Sequence, residues 1–250
     1  MRAILTPLAL SPVLVPQALW VKYRAARLSE AAGPRDGVTG QGPELRLLIV
    51  GDSSGAGVGV SHQDDALAGR LAAHLGTRFR VHWRLAARCG ATTASVSKLL
   101  DTIPDRARFD AAVIALGVND AKNGMRSGVW MRRYAGLCDR LVRDYGVRRI
   151  YASGLPQLGH FPLLPQPLRG VLGQRAARFD AMLRALVEDR RELTYISLEF
   201  PIDRALMAED GFHPGPEVYD AWARRVAERV PDEGGHDVVP YRRGGDLAHS

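Results

Sequence analysis

The chain has 250 residues, 46% hydrophobic and 24% charged, with a formal net charge of +7. That length suits one domain with a large core, and the composition excludes a disordered or fibrous chain. The basic residues are dispersed in pairs such as Arg132-Arg133 and Arg242-Arg243, not gathered in a stripe, so no nucleic-acid partner is expected. The two cysteines, Cys89 and Cys138, lie far apart without ligand-spaced neighbours, which argues against a disulfide framework and a zinc site.

The stretch Ala3 to Val21 is apolar and uncharged, but Pro7, Pro12 and Pro16 interrupt it. Those prolines argue against a spanning helix, and no small-residue cleavage site follows Trp20. Residues 1–22 read as an uncleaved segment that packs on the domain or makes peripheral contact with a membrane. The expected location is cytoplasmic or membrane-peripheral, with export left open. Residues 22–44, with Gly33-Pro34-Arg35-Asp36-Gly37 and Gly40-Gln41-Gly42-Pro43, read as a linker. Residues 1–44 are thus expected to precede a domain at 45–230.

From Leu45 onward strand-like and helix-like patterns alternate. Strand-like runs fall near 45–50, 79–86, 110–116, 149–153 and 193–198. Asp64 is a candidate cap for a helix with Leu67, Leu71 and Leu75 on one face, and Ser127 for one with Trp130, Tyr134, Leu137 and Leu141. Two further helices are marked by Ala176, Phe179 and Leu183, and by Val218, Trp222 and Val226. This alternation predicts right-handed βαβ units, hence an α/β fold: a flavodoxin-like three-layer α/β/α sandwich on a five-stranded parallel sheet. Residues 155–167 carry four prolines and are expected to form a stiff loop. Residues 231–250 read as a flexible polar tail.

Polar clusters stand where such a sheet collects a ligand, at the carboxyl ends of strands. The apolar run Leu45–Val50 stops at Gly51-Asp52-Ser53. Gly90 follows the run 81–87, Gly117-Val118-Asn119-Asp120 follows the run 111–116, and Asp210-Gly211-Phe212-His213 precedes the last helix. Each has a purely structural reading taken alone: Ser53 as a helix cap, Gly90 as a turn glycine, Asn119 as an Asx turn, and Asp210-Gly211 as a turn. All four together, each at a strand end or before a helix, point to a functional site.

Together they resemble the SGNH (GDSL-type) hydrolase family over about residues 45–230. The resemblance implies that Ser53 is the nucleophile, His213 its general base and then acid, and Asp210 the orienting carboxylate. It implies an oxyanion hole from the backbone N–H groups of Ser53 and Gly90 and the Asn119 amide. Glycine at 90 is expected because a side chain there would block the oxyanion's approach. Ser54 stands where the family most often has Leu. Asp52 and Asp120 are read as hydrogen-bonding loop residues. Asp52, Pro156, Phe161 and Leu163 are the candidate pocket residues. His62, His74, His82 and His160 receive no catalytic role, and no cofactor or metal is expected.

The reaction expected is hydrolysis of carboxylic esters, with short-chain acyl esters favoured because no lid domain or carbohydrate module is apparent. The same family would also admit a lysophospholipase, a thioesterase or a carbohydrate acetylesterase. A G-x-S-x-G elbow of α/β-hydrolases also fits residues 51–55, but only one strand-like run precedes Ser53. A dinucleotide site is opposed by the glycine spacing at 55–59 and by the absence of an acidic residue after the second strand. A non-catalytic lipid- or carbohydrate-binding module would be expected to have lost the serine or the histidine, and this chain keeps both. Oligomeric state has no signature in the sequence.

Overall fold

In the computed structural model, which describes residues 11–25, 28–201 and 203–232, six strands form one sheet. They are β1 (Asp36–Thr39), β2 (Glu44–Gly51), β3 (Arg80–Ala87), β4 (Ala111–Ala115), β5 (Arg149–Ser153) and β6 (Leu193–Ile196). Their order is β1-β3-β2-β4-β5-β6. All neighbours are parallel except β1 and β3. Without β1, the five parallel strands follow the flavodoxin-like order second, first, third, fourth, fifth. Leu47, Leu48, Ile49 and Val50 are all 0% exposed, as a strand covered on both faces requires.

Seven α-helices are described: α1 (Ser11–Ala25), α2 (Leu67–Gly76), α3 (Val96–Leu100), α4 (Val118–Lys122), α5 (Ser127–Tyr145), α6 (Leu168–Glu188) and α7 (Pro216–Ala227). On one face α2 and α7 pack together, joining Leu67, Leu71 and Leu75 to Tyr219, Trp222 and Val226 in one buried cluster. Each of those leucines contributes about 1.5–3 kcal/mol of burial. On the other face α5 and α6 bring Trp130, Tyr134, Leu141, Phe179 and Leu183 against Leu48, Val50 and Ile114. The expected three-layer sandwich is present, with one strand more than predicted.

The additional strand lies inside the expected linker. β1 pairs antiparallel with β3, Asp36 opposite Arg84 and Thr39 opposite Val81. Just before it, Ala31 and Ala32 donate backbone hydrogen bonds to Ala56 and Ser61. Residues 28–44 are therefore built onto the domain. A four-residue edge strand buries little and needs no apolar run, so its sequence looks like a loop.

Two helix starts also differ from expectation. Asp64 caps nothing: it sits in a 3₁₀ turn (Gln63–Asp65) capped by His62, and α2 begins after Ala66 without a side-chain cap. Ser127 is the first residue of α5, and the preceding Arg126 makes no side-chain cap either. The proline-rich stretch carries a 3₁₀ turn at Leu158–His160. Residues 1–10 of the N-terminal segment and 233–250 of the expected tail lie outside the described residues. No helix among the described residues is long and apolar enough to cross a membrane.

Candidate active site

Ser53 stands just past the end of β2, where the connections leave in opposite directions along the sheet; this reversal is where open α/β sheets form their ligand crevice. The Asp52 N–H donates to Ala115 O at 3.1 Å, extending the β2–β4 ladder. The chain then coils through turns, with Ala56 N–H on Asp52 O at 2.9 Å and Val58 N–H on Ser53 O at 3.0 Å. Ser53 therefore caps no helix. At Gly59, φ is +113° and a Cβ would come within 2.2 Å of Pro214 O. Only glycine lets the loop carrying Ser53 lie this close to the loop carrying His213.

Residues 208–213 close on themselves through Ala208 N–H to His213 O and Gly211 N–H to Ala208 O, both 2.9 Å. Inside this turn Asp210 Oδ1 accepts the N–H groups of Phe212 (2.9 Å) and His213 (3.0 Å). Its Oδ2 lies 2.6 Å from His213 Nδ1, and His213 Nε2 lies 3.0 Å from Ser53 Oγ. Burial alone would raise the Asp210 carboxyl, but the His213 imidazole and the two backbone donors outweigh it and hold the group below its usual range. An ionised Asp210 fixes the proton on Nδ1 and leaves Nε2 to accept from the serine. Phe212 meets the His213 ring edge-on, its centroid 5.2 Å away.

Asn119 lies at the start of α4, immediately past β4. Its side chain is buried, and its amide donates to Ala91 O at 3.0 Å, with Asp52 Oδ2 at 3.4 Å. Among the described residues, the backbone N–H groups of Ser53 and Gly90 have no hydrogen-bond acceptor. Gly90 has φ +75°, and a Cβ there would meet no atom within 4 Å. Its left-handed backbone by itself favours glycine at this position.

Asp52 is almost fully buried beside Ser53 and accepts the Ser54 N–H at 3.1 Å. Burial pushes its carboxyl up to about 6, against the Ser54 N–H and the charges of His213 and Lys122. Asp120 is buried and holds the loop after Gly90 to α4. Its Oδ2 accepts both the N–H and the hydroxyl of Thr93 at 3.0 Å, and Thr93 Oγ1 accepts from Trp130 Nε1 at 3.1 Å. Nothing local in the sequence distinguishes Thr93 from Thr92.

Beside Ser53 lies a cavity of about 80 Å³, room for roughly half a dozen water-sized groups. Of the candidate wall residues, Asp52, Pro156 and Phe161 line it. Leu163 does not: it is buried in the core, and its N–H donates to Gly211 O at 3.3 Å. Leu163 thus supports the Asp210–His213 turn from behind. Leu198, Phe200, Met207 and Trp222 are among the other residues that line it, with Trp222 Nε1 donating to Ser153 Oγ at 3.1 Å. His62 and His74 face Asp64 and Asp220. His160 is exposed outside the cavity. Among the described residues no three His, Cys, Asp or Glu side chains are grouped to hold a metal.

The family model described as "GDSL-like Lipase/Acylhydrolase family" matches residues 49–221. Similar solved structures include TesA, 19% identical, covering 72% of this chain and 95% of that one with a TM-score of 0.60. A carbohydrate acetylesterase family member from Sinorhizobium meliloti is 18% identical over 74% of this chain and 96% of that one, TM-score 0.56. The psychrotrophic esterase EstA from Pseudoalteromonas sp., solved inhibited by monoethylphosphonate, is 16% identical over 73% and 94%, TM-score 0.57. At such identities the likeness is one of fold. No curated protein sequence matches the chain.

Proposed function

The chain belongs to the GDSL-like lipase/acylhydrolase family, a family of ester-hydrolysing enzymes, and from that premise we propose that it is a serine esterase that cleaves short-chain acyl esters through an acyl-enzyme. The observation that carries this reading is the unbroken relay Asp210–His213–Ser53, with contacts of 2.6 and 3.0 Å. Both distances are within the reach that proton transfer requires.

Ser53 Oγ attacks the ester carbonyl carbon while His213 Nε2 takes the hydroxyl proton. The resulting imidazolium is stabilised by the Asp210 carboxylate. The carbonyl oxygen becomes an oxyanion and is met by the N–H groups of Ser53 and Gly90 and by the Asn119 amide. Collapse of the tetrahedral intermediate expels the alcohol, which takes the proton from His213, and leaves Ser53 acylated. A water then repeats the sequence, losing its proton to Nε2, and the acid departs as Ser53 recovers its proton.

The small apolar cavity beside Ser53 supports a short acyl chain over a long one. We assign its walls Asp52, Pro156 and Phe161 to substrate contact and take residues 45–230 as the hydrolase domain. The experiment that tests the reading is turnover of soluble p-nitrophenyl esters from acetate to palmitate. It should peak at the short end and be abolished by Ser53→Ala. A folded Ser53→Ala variant with near-normal turnover would sink it. A peak at long chains would move the assignment to a lysophospholipase or thioesterase, and absence of turnover in the parent to a binding module.

A further inference from the structure

Among the described residues, five of the six large apolar side chains most exposed to solvent belong to one helix. Val13, Val15, Leu19, Trp20 and Tyr23 of α1 are 46–66% exposed; the sixth, Val38, lies on the edge strand. Val15, Leu19 and Tyr23 follow at four-residue spacing and so share one face on successive turns. The opposite face is anchored. Val21 is 4% exposed in the core and Leu14 packs against the same cluster. The Gln17 side chain donates to Gln166 O at 2.7 Å and accepts the Leu168 N–H at 3.2 Å. The helix is thus held against the start of α6, at the end of the proline-rich loop whose Pro156 and Phe161 line the cavity. Single exposed apolar residues are ordinary, but a cluster this concentrated marks an interaction surface.

Charge indicates what would cover it. Residues 1–29 contain Arg2, Lys22, Arg24 and Arg27 and no acidic residue. The Arg24 guanidinium lies 5.7 Å over the Trp20 ring. An apolar face bearing an indole and a phenol, with the Arg24 guanidinium over the indole and a surrounding sequence of cations without carboxylates, has the chemistry that suits an anionic bilayer's surface. A second copy of this chain would instead bring like charges together.

We propose that the outward face of α1 docks the protein on anionic lipid bilayers, with Val15, Leu19 and Trp20 entering the boundary between headgroups and acyl chains. This goes beyond the esterase reading and does not depend on it, since docking requires no intact Ser53. The test is co-sedimentation of the full chain with vesicles of phosphatidylcholine alone, or with about a third of the lipid as phosphatidylglycerol. Binding should be at least about tenfold stronger to the anionic vesicles. The triple variant Val15→Ser/Leu19→Ser/Trp20→Ser should lose at least about tenfold of it, with its circular dichroism and melting temperature unchanged. Lys22→Gln/Arg24→Gln, which leaves the apolar face intact, should weaken binding several-fold. Three results would overturn the proposal: no binding to anionic vesicles, undiminished binding by the triple variant, or binding that appears only after deletion of residues 1–10, which would make that segment the cover. A lipid-free dimer dispersed by the triple variant would assign the face to a second copy. Loss of ester turnover with vesicle binding intact would count against the esterase reading alone.

Discussion

Asp210 gives one carboxylate oxygen to two backbone N–H groups of its own turn and the other to His213 Nδ1 at 2.6 Å. This division of labour makes Asp210→Asn a sharper probe than Asp210→Ala. The asparagine oxygen would keep the backbone donors, so its amide N–H₂ would face Nδ1. Nδ1 would then have to accept, the proton would move to Nε2, and the imidazole could no longer receive the Ser53 proton. Turnover of a soluble short ester should fall about ten-thousandfold with the fold intact by circular dichroism. A loss below about tenfold would remove Asp210 from the triad.

The proposed oxyanion donors should separate by chemistry. Asn119→Ala removes a side-chain donor and should lower kcat about a hundred- to a thousandfold, with a smaller change in KM. Gly90→Ala keeps its N–H, and its new methyl meets only open space. The cost there is the left-handed backbone, roughly 1 kcal/mol of stability, with kcat reduced less than the Asn119 variant. Steady-state kinetics beside thermal melts distinguish the two. Equal losses of kcat would mean that a side chain at 90 does obstruct the oxyanion, as the sequence alone suggested.

What could be read in advance follows from where the information lies. Ser53, Gly90, Asn119 and His213 announce themselves because an apolar run or a turn ends at each, and the polar residue at a strand terminus contrasts with what precedes it. β1 is silent because an edge strand of four residues needs neither apolar periodicity nor length. The cavity wall was half legible. Pro156 and Phe161 sit in a conspicuous loop, whereas Phe200, Met207 and Trp222 reach the cavity only once β6 and α7 are placed beside β5. Leu163 looks equivalent to Phe161 in sequence, yet two positions along the loop it faces the core.

Pocket size offers a third prediction. Phe161 and Phe200 both border the cavity, but Phe161 also packs edge-on against Phe212, 5.5 Å between centroids, beside the base. Phe200→Ala therefore enlarges the pocket without touching that contact. Its ratio of kcat/KM for hexanoate over acetate esters should rise about tenfold, the scale of one or two methylenes newly accommodated. Phe161→Ala should shift selectivity the same way but lower kcat as well. Unchanged ratios in both would place the acyl chain elsewhere.

Asp52 ties stability to pH with a sign opposite to that of Asp210. Burial pushes the Asp52 carboxyl up to about 6, against about 4 in an unfolded chain. Between those values the folded state holds a proton that the unfolded state has lost, so stability falls as pH rises. Above about 6 the full penalty, about 3 kcal/mol, is in place. Asp210, held below its usual range, instead adds stability above the unfolded value and loses it as pH falls. That contribution is common to parent and variant and cancels when they are compared. Asp52→Asn keeps an oxygen for the Ser54 N–H but turns its amide toward Asn119, a cost that does not vary with pH. The free energy of unfolding of Asp52→Asn relative to the parent should therefore move in the variant's favour by about 2 kcal/mol between pH 4 and pH 7. Urea titrations at the two pH values measure it. A difference that stays flat would mean Asp52 ionises in the folded protein as freely as in water.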